Sequence, residues 1–210
     1  MEWWKAIEPY IFILFPVVIV IAAVATIKRG RRARQSWQTL AQTYGLTYTP
    51  PGKTELLSKK AAIAFQDPGE ITGVLEGLTF RLFIAIYGTS KDRRVYTIMS
   101  LEIPGLPRVF TLYHENAFLG LTKMVGAQDV KTGDEEFDKA FMVKGENPDE
   151  VLNWLTAERR HVLRQEIGSE RDMDIREGCL RFEQQGVCDK REVLENALTR
   201  MRALIPYVKG

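Results

Sequence analysis

An uninterrupted apolar run from Tyr10 to Ile27 dominates the hydrophobic pattern of this chain. The run contains no charged residue. At about 1.5 Å per helical residue it is nearly long enough to cross a bilayer core of about 30 Å. Because backbone groups in lipid must form their hydrogen bonds within the segment, the run predicts a transmembrane helix over residues 10–27.

Charge on the two sides of the run predicts its orientation. The flank before it, residues 1–9, contains Glu2, Lys5 and Glu8. The segment after it, residues 28–36, contains five basic residues and no acid: Lys28, Arg29, Arg31, Arg32 and Arg34. Since an excess of Lys and Arg stays on the cytoplasmic side, we expect a single-pass protein of the bacterial inner (plasma) membrane. Residues 1–9 would be extracytoplasmic and residues 37–210 a cytosolic domain.

The five basic residues also suit the anionic headgroups of the inner leaflet, so the sequence predicts that they contact the membrane surface. The chain as a whole carries a net charge of +2. These five residues more than account for it, and the remaining chain is slightly acidic. A nucleic-acid partner is therefore not expected.

Two other interpretations of the apolar run fit its flanks or its length less well. Ala23-Val24-Ala25 has the form of a signal-peptide cleavage site, but a signal peptide carries its positive charge before the apolar core, and here the charge follows it. A buried helix of a globular domain rarely lacks a polar face over such a length. The membrane anchor is therefore the preferred interpretation.

Beyond the basic segment, the pattern of apolar positions predicts an α+β domain. Alternating residues predict strands over 71–76, 79–87, 95–103 and 109–114, and their short connections favour an antiparallel meander. A further strand is predicted over 137–144 and a hairpin over 173–183. Residues 36–44 have helical spacing and either continue the membrane helix or dock close to it.

Two more helices carry recognisable start signals. Asn147-Pro148 followed by two acids predicts a helix start. The last helix is predicted from Asp189 and Glu192 as a capping pair, with Pro206 as its end. Its apolar stripe is Val193, Leu194, Ala197, Leu198, Met201, Leu204 and Ile205. The fold class is thus α+β, with a meander and packed helices that include a C-terminal one.

Candidate chemistry is sparse. The two histidines, His114 and His161, have no partner at metal-site spacing, and Cys179 and Cys188 match neither a redox pair nor a zinc site. Ser90 and Ser169 lack the flanks of a nucleophile elbow. The acidic loop 132–136 is interpreted as a solvated turn, and the pair Asp172 and Asp174 as an exposed strand entry. We therefore assign no catalytic residue, no cofactor and no metal.

One segment carries a resemblance. Phe137-Asp138, Phe141 and Val143, followed by the helix start at Asn147, form an F-D-x-x-F-x-V pattern. This pattern is similar to one in uncharacterised bacterial membrane-anchored proteins with an N-terminal membrane segment and a cytosolic α+β domain. The resemblance covers about a third of the chain and implies no activity. It implies that Phe137, Phe141 and Val143 are core residues.

These features together favour a membrane-tethered cytosolic interaction or regulatory module that is not an enzyme. Its expected partners are the lipid bilayer and either another protein or a second copy of itself. Two alternatives stay open at this stage. One is a membrane-associated hydrolase or transferase whose site has no motif, and the other is a pleckstrin-like lipid-sensing domain.

Overall fold

The computed structural model describes residues 3–52, 67–88, 92–114, 128–168 and 172–209, with the side chains of the first helix described from Val17 onward. The described residues form an α+β fold with one antiparallel sheet of nine strands and five helices. The helices are α1 Trp3–Tyr44, α2 Glu135–Ala140, α3 Pro148–Trp154, α4 Ala157–Ile167 and α5 Arg191–Val208. The strands are β1 Thr47–Thr49, β2 Glu70–Leu75, β3 Leu78–Tyr87, β4 Arg94–Glu102, β5 Thr111–His114, β6 Gln128–Asp129, β7 Phe141–Gly145, β8 Met173–Arg176 and β9 Cys179–Gln185.

The strand order is β1-β2-β3-β4-β9-β8-β5-β7-β6. The predicted meander is confirmed for β2 to β4, and the β2–β3 turn places Glu76 and Gly77 at φ values of 50° and 85°, the left-handed region that tight hairpin turns require. The fourth predicted strand, β5, is not next to β4. The β8–β9 hairpin occupies the open edge of β4, and the Ile103 N–H donates to the Gly178 carbonyl, so β5 pairs with β8 and β7 instead.

One face of the sheet carries the hydrophobic core. Alternate strand residues point to this face, among them Phe80, Met99, Leu112 and Phe182, and helices pack over it. The predicted stripe of α5 is buried except at Val193, which is partly buried. Phe137, Phe141 and Val143 are all in this core, as the resemblance implied.

Three local expectations were wrong. Residues 137–140 belong to α2 rather than to a strand, because Asp134 accepts a hydrogen bond from the Phe137 N–H and caps a short helix before β7. Asp189 and Glu192 do not cap α5, which has Lys190 at its N-cap without a side-chain bond. Pro206 does not end α5, which continues to Val208.

The helix α1 is continuous over 42 residues. It therefore joins the predicted membrane run to the predicted helix over 36–44, the first of the two alternatives. Its large apolar side chains are exposed from Val17 to Ile27, whereas Trp37, Leu40 and Ala41 are buried in the domain. Residues 10–16 of the predicted span have side chains outside the described part of the chain. Among the residues that the structure describes, no helix combines the length and the apolar character required for crossing a membrane.

Candidate functional site

The junction between α1 and the domain is held by a short segment that follows β9. Trp37 is fully buried, and its indole N–H donates to the Cys188 carbonyl at 3.1 Å. One residue earlier on α1, the Ser36 hydroxyl donates to the Asp189 carbonyl at 2.9 Å. The last part of α1, which carries the buried residues Ala33, Trp37, Leu40 and Ala41, therefore belongs to the domain core.

The structure divides the five predicted membrane-surface residues into two groups. Arg29 donates to the Val187 carbonyl at 3.0 Å, and Arg34 donates to the Asp67 carbonyl at 3.1 Å. Arg29 and Arg32 each lie 3.6 Å from a carboxylate oxygen of Asp189. These three arginines therefore attach α1 to the domain.

Lys28 and Arg31 form the second group. Both are exposed, and neither forms an ion pair with another described residue. They lie directly after the exposed apolar stretch that ends at Ile27. Their charges are therefore available to bind an anionic surface beside α1.

A cluster of charged residues is buried on the face of the sheet opposite the hydrophobic core. We call Asp174, Arg176, Arg181 and Glu183 the buried charge cluster; all four are at most 9% exposed. Arg176 binds Glu183 and lies 3.3 Å from Asp174, and Arg181 lies 3.8 Å from Glu183. Arg181 also donates to the Tyr87 hydroxyl at 3.0 Å. The charges compensate one another, which is the condition for keeping them out of water.

Asp174 differs from the exposed strand entry that was expected. Burial raises the pKa of its carboxyl group to about 6, against the opposing effect of Arg176 and Arg181. The Asp172 carboxylate instead accepts from Arg200 on α5 at 3.1 Å. The two aspartates therefore have different arginine partners. The signal that was missed is the hairpin register around Gly178, which sets Asp174 opposite Arg181.

A cavity of about 250 Å³ lies beside the buried charge cluster and is lined by Arg81, Glu102, Glu177, Cys179 and Arg181, among others. Arg81 is bound to Glu70, and Arg181 to Glu177. Burial raises the pKa of the Cys179 thiol, which keeps it protonated and a poor nucleophile. Both described cysteines are free thiols. The lining of the cavity is more apolar than polar, and its two arginines are each paired with a carboxylate.

The remaining candidate groups are the two histidines and the acidic loop, and of these His114 and Asp134 have contacts within the fold. His114 lies 3.3 Å from the Ile167 carbonyl and packs on Phe141, and His161 is exposed on α4. In the acidic loop, the Phe137 N–H holds the pKa of Asp134 below its usual range, and Arg160 lies 3.3 Å from that carboxylate. No group of metal-ligating side chains occurs within the described ranges. Ser90 and Ser169 lie outside the described ranges, and so does Glu170, an acidic residue two positions before Asp172.

No family model and no curated protein matches this chain. Among solved structures, the chain is similar to the crystal structure of the mycobacterial trehalose monomycolate transport factor A, TtfA. The two are 15% identical, with a TM-score of 0.49 over 86% of this chain and 96% of that chain. This level of similarity assigns no activity to the chain.

Proposed function

We propose that this chain is a membrane-tethered, non-enzymatic module that holds a protein partner, or a second copy of itself, at the cytosolic face of a bacterial inner membrane. The observation that carries the proposal is the continuity of α1 from its exposed apolar stretch into the domain core. A module built in this way keeps whatever it binds at a fixed distance from the bilayer.

The apolar stretch supports the tether. Val17, Val18, Ile19, Val20 and Ile21 are each about half exposed or more, between 48% and 62%. Burying one such side chain is worth about 1.5–3 kcal/mol relative to leaving it in water. A helix that is apolar on all sides is typical of a membrane span, and the run in the sequence extends this surface back to Tyr10.

The basic segment supports the orientation. Lys28 and Arg31 directly follow the apolar stretch and are exposed, which suits the cytosolic headgroup region. Arg29 and Arg32 keep 49% and 68% of their side chains exposed while they pair with Asp189. They can therefore serve the domain junction and the lipid surface together.

The burial of Asp174 and the protonated thiol of Cys179 favour a binding role over a catalytic one. A general acid or base must reach a substrate from an accessible site. Here Asp174 is buried among arginines, and the Cys179 thiol is kept protonated. The surfaces that stay accessible on the helices and the sheet are those a partner would contact.

The tether is tested by membrane extraction of the full chain expressed in bacteria. Wild type should stay in the membrane fraction at alkaline pH, whereas Ile19→Arg with Val20→Arg should be released. Ile19→Leu with Val20→Leu is the matched control and should behave as wild type. Release of wild type and control alike would contradict the tether.

Orientation and partner binding are tested in the same cells. A phosphatase that works only in the periplasm, fused after Gly210, should be inactive, and a fluorescent protein fused there should fold and fluoresce. Cross-linking should give a product larger than the single chain for wild type, and the released Arg variant should give less of it. Recovery of the single chain alone would contradict the interaction role.

A further inference from the structure

We propose that Tyr87, Arg93 and Arg94 form a second contact with anionic lipid headgroups, beside Lys28 and Arg31. We call these three residues the lipid-facing patch. The inference rests on the proposed membrane tether and adds to it, because it assigns a bilayer-binding role to the sheet itself. None of the three residues is in the basic segment that the sequence predicted.

Two hydrogen bonds connect the start of β4 to the part of α1 around Arg29, which we call the base of α1. The Gly186 N–H donates to the Val95 carbonyl at 2.7 Å. The next residue, Val187, accepts from Arg29 at 3.0 Å. Arg94 therefore lies one residue from a strand position that is attached to α1 just beyond Ile27.

The direction of the strands places the patch at the membrane-facing end of the sheet. The helix α5 begins at Arg191, two residues after Asp189, which pairs with Arg29. The start of α5 therefore lies near the base of α1, and the helix runs away from it. Near its other end, Arg202 donates to Glu76 at 2.6 Å, and Lys209 donates to the Glu76 carbonyl at 2.8 Å. The β2–β3 turn is thus at the far end, and β3 returns from it towards the base of α1, where it ends at Tyr87.

The separation from the bilayer is small. Arg29 is two residues past Ile27, which is about 3 Å along a helix axis. The headgroup region on each side of a bilayer is about 5–7 Å thick. If Ile27 ends the span, a sheet end attached at Arg29 therefore lies at the depth of the headgroups. Arg93 comes one residue before Arg94, which is roughly 3 Å further from the centre of the strand.

The chemistry of the patch suits phosphate. Arg93 and Arg94 are exposed, and neither is ion-paired with another residue in the described ranges. Asp92 is exposed beside them and offsets one of the two charges. Tyr87 is 42% exposed and is paired with Arg94 in the register of β3 and β4, which sets its ring next to the arginines. Guanidinium groups bind phosphate in a bidentate manner, and tyrosine rings settle at membrane interfaces.

The test places the full chain in lipid nanodiscs of phosphatidylcholine alone or of an equal mixture with phosphatidylglycerol. An environment-sensitive fluorophore on Asp92→Cys reports contact through quenching by a headgroup-labelled lipid. The same label on Arg108→Cys, in the turn after the far end of β4, is the matched control, and the unsubstituted chain measures labelling of native thiols. We expect strong quenching at position 92 in anionic discs and little at position 108.

Charge variants then assign the contact. Arg93→Gln with Arg94→Gln should lower the ratio of contacting to non-contacting label about 25-fold, since each basic residue near an anionic surface contributes about fivefold. In both the double variant and the control variant Arg108→Gln, the fluorophore is attached at Asp92→Cys. Arg108→Gln should have no effect. Raising the salt concentration should also reduce quenching, because it screens exposed charges.

Four outcomes would overturn the inference. Equal quenching at positions 92 and 108, or equal quenching in neutral and anionic discs, would do so while the chain still co-purifies with the discs. An unchanged ratio in the Arg93→Gln, Arg94→Gln variant would do the same. Failure of the chain to enter the discs would overturn the proposed tether, and this inference with it.

Discussion

At the scale of single residues, the balance around Asp174 shows how burial and charge compete. Its carboxylate is 3% exposed and lies 3.3 Å from Arg176. Arg181 faces it across the β8–β9 hairpin. Two cations would normally lower the pKa of an aspartate, yet the loss of hydration dominates and raises it to about 6. Ionised Asp174 is therefore a net cost to the folded domain near neutral pH.

Asp174→Asn tests this balance through the pH dependence of stability. Between the ordinary aspartate pKa of about 3.9 and the folded value of about 6, the folded state binds more protons than the unfolded state. The contribution of Asp174 to the free energy of unfolding therefore falls as pH rises through this window, by up to about 3 kcal/mol. Asp174→Asn should lack this contribution when unfolding is followed from pH 4 to pH 7.

Asp149→Asn removes an exposed carboxylate from α3 and should keep the wild-type slope. Parallel stability curves for wild type and Asp174→Asn would show that Asp174 does not carry the shifted titration.

At the scale of elements, α1 carries both the exposed apolar stretch and part of the domain core. Trp37 is completely buried, and its indole N–H bonds the Cys188 carbonyl. Truncation of a buried tryptophan costs about 3–5 kcal/mol. Trp37→Ala should therefore destabilise the whole domain by about this amount in denaturant unfolding. Gln38→Ala, on the exposed side of the same turn, should change stability by about 0.5 kcal/mol or less.

The contrary outcome is a domain that tolerates Trp37→Ala. Equal unfolding curves for Trp37→Ala and Gln38→Ala would mean that α1 is only loosely attached. The domain would then be free to turn on its tether, and the position assigned to the lipid-facing patch would lose its basis.

Local signals in the sequence predicted individual elements well, and long-range pairing less well. Glu76-Gly77 and Glu177-Gly178 specify tight turns, so both hairpins were predicted. The insertion of the β8–β9 hairpin between β4 and β5 depends on contacts between residues far apart in sequence, which periodicity does not encode. The short helix α2 was missed because its capping residue, Asp134, was interpreted as part of a solvated turn.

The residues of the candidate site were likewise predictable only where the signal is local in the sequence. The basic segment after the apolar run was visible in the sequence, and the structure adds that Arg29, Arg32 and Arg34 also bind the domain. Arg93 and Arg94 carried no local signal, because only the fold brings the start of β4 to the base of α1. The burial of Asp174 depends on strand pairing in the sheet, so the residues next to Asp174 in the sequence did not predict it.

At the scale of the whole molecule, the central claim is that the domain is held in a fixed position by a helix anchored in the bilayer. The distance between spin labels on Val20→Cys in α1 and Arg108→Cys at the far end of the sheet, measured by electron paramagnetic resonance in nanodiscs, tests it directly. The full chain should give one narrow distance distribution. A Gly-Ser linker inserted between Ile27 and Lys28 should broaden it. A distribution as broad in the unaltered chain as in the linker variant would contradict the claim.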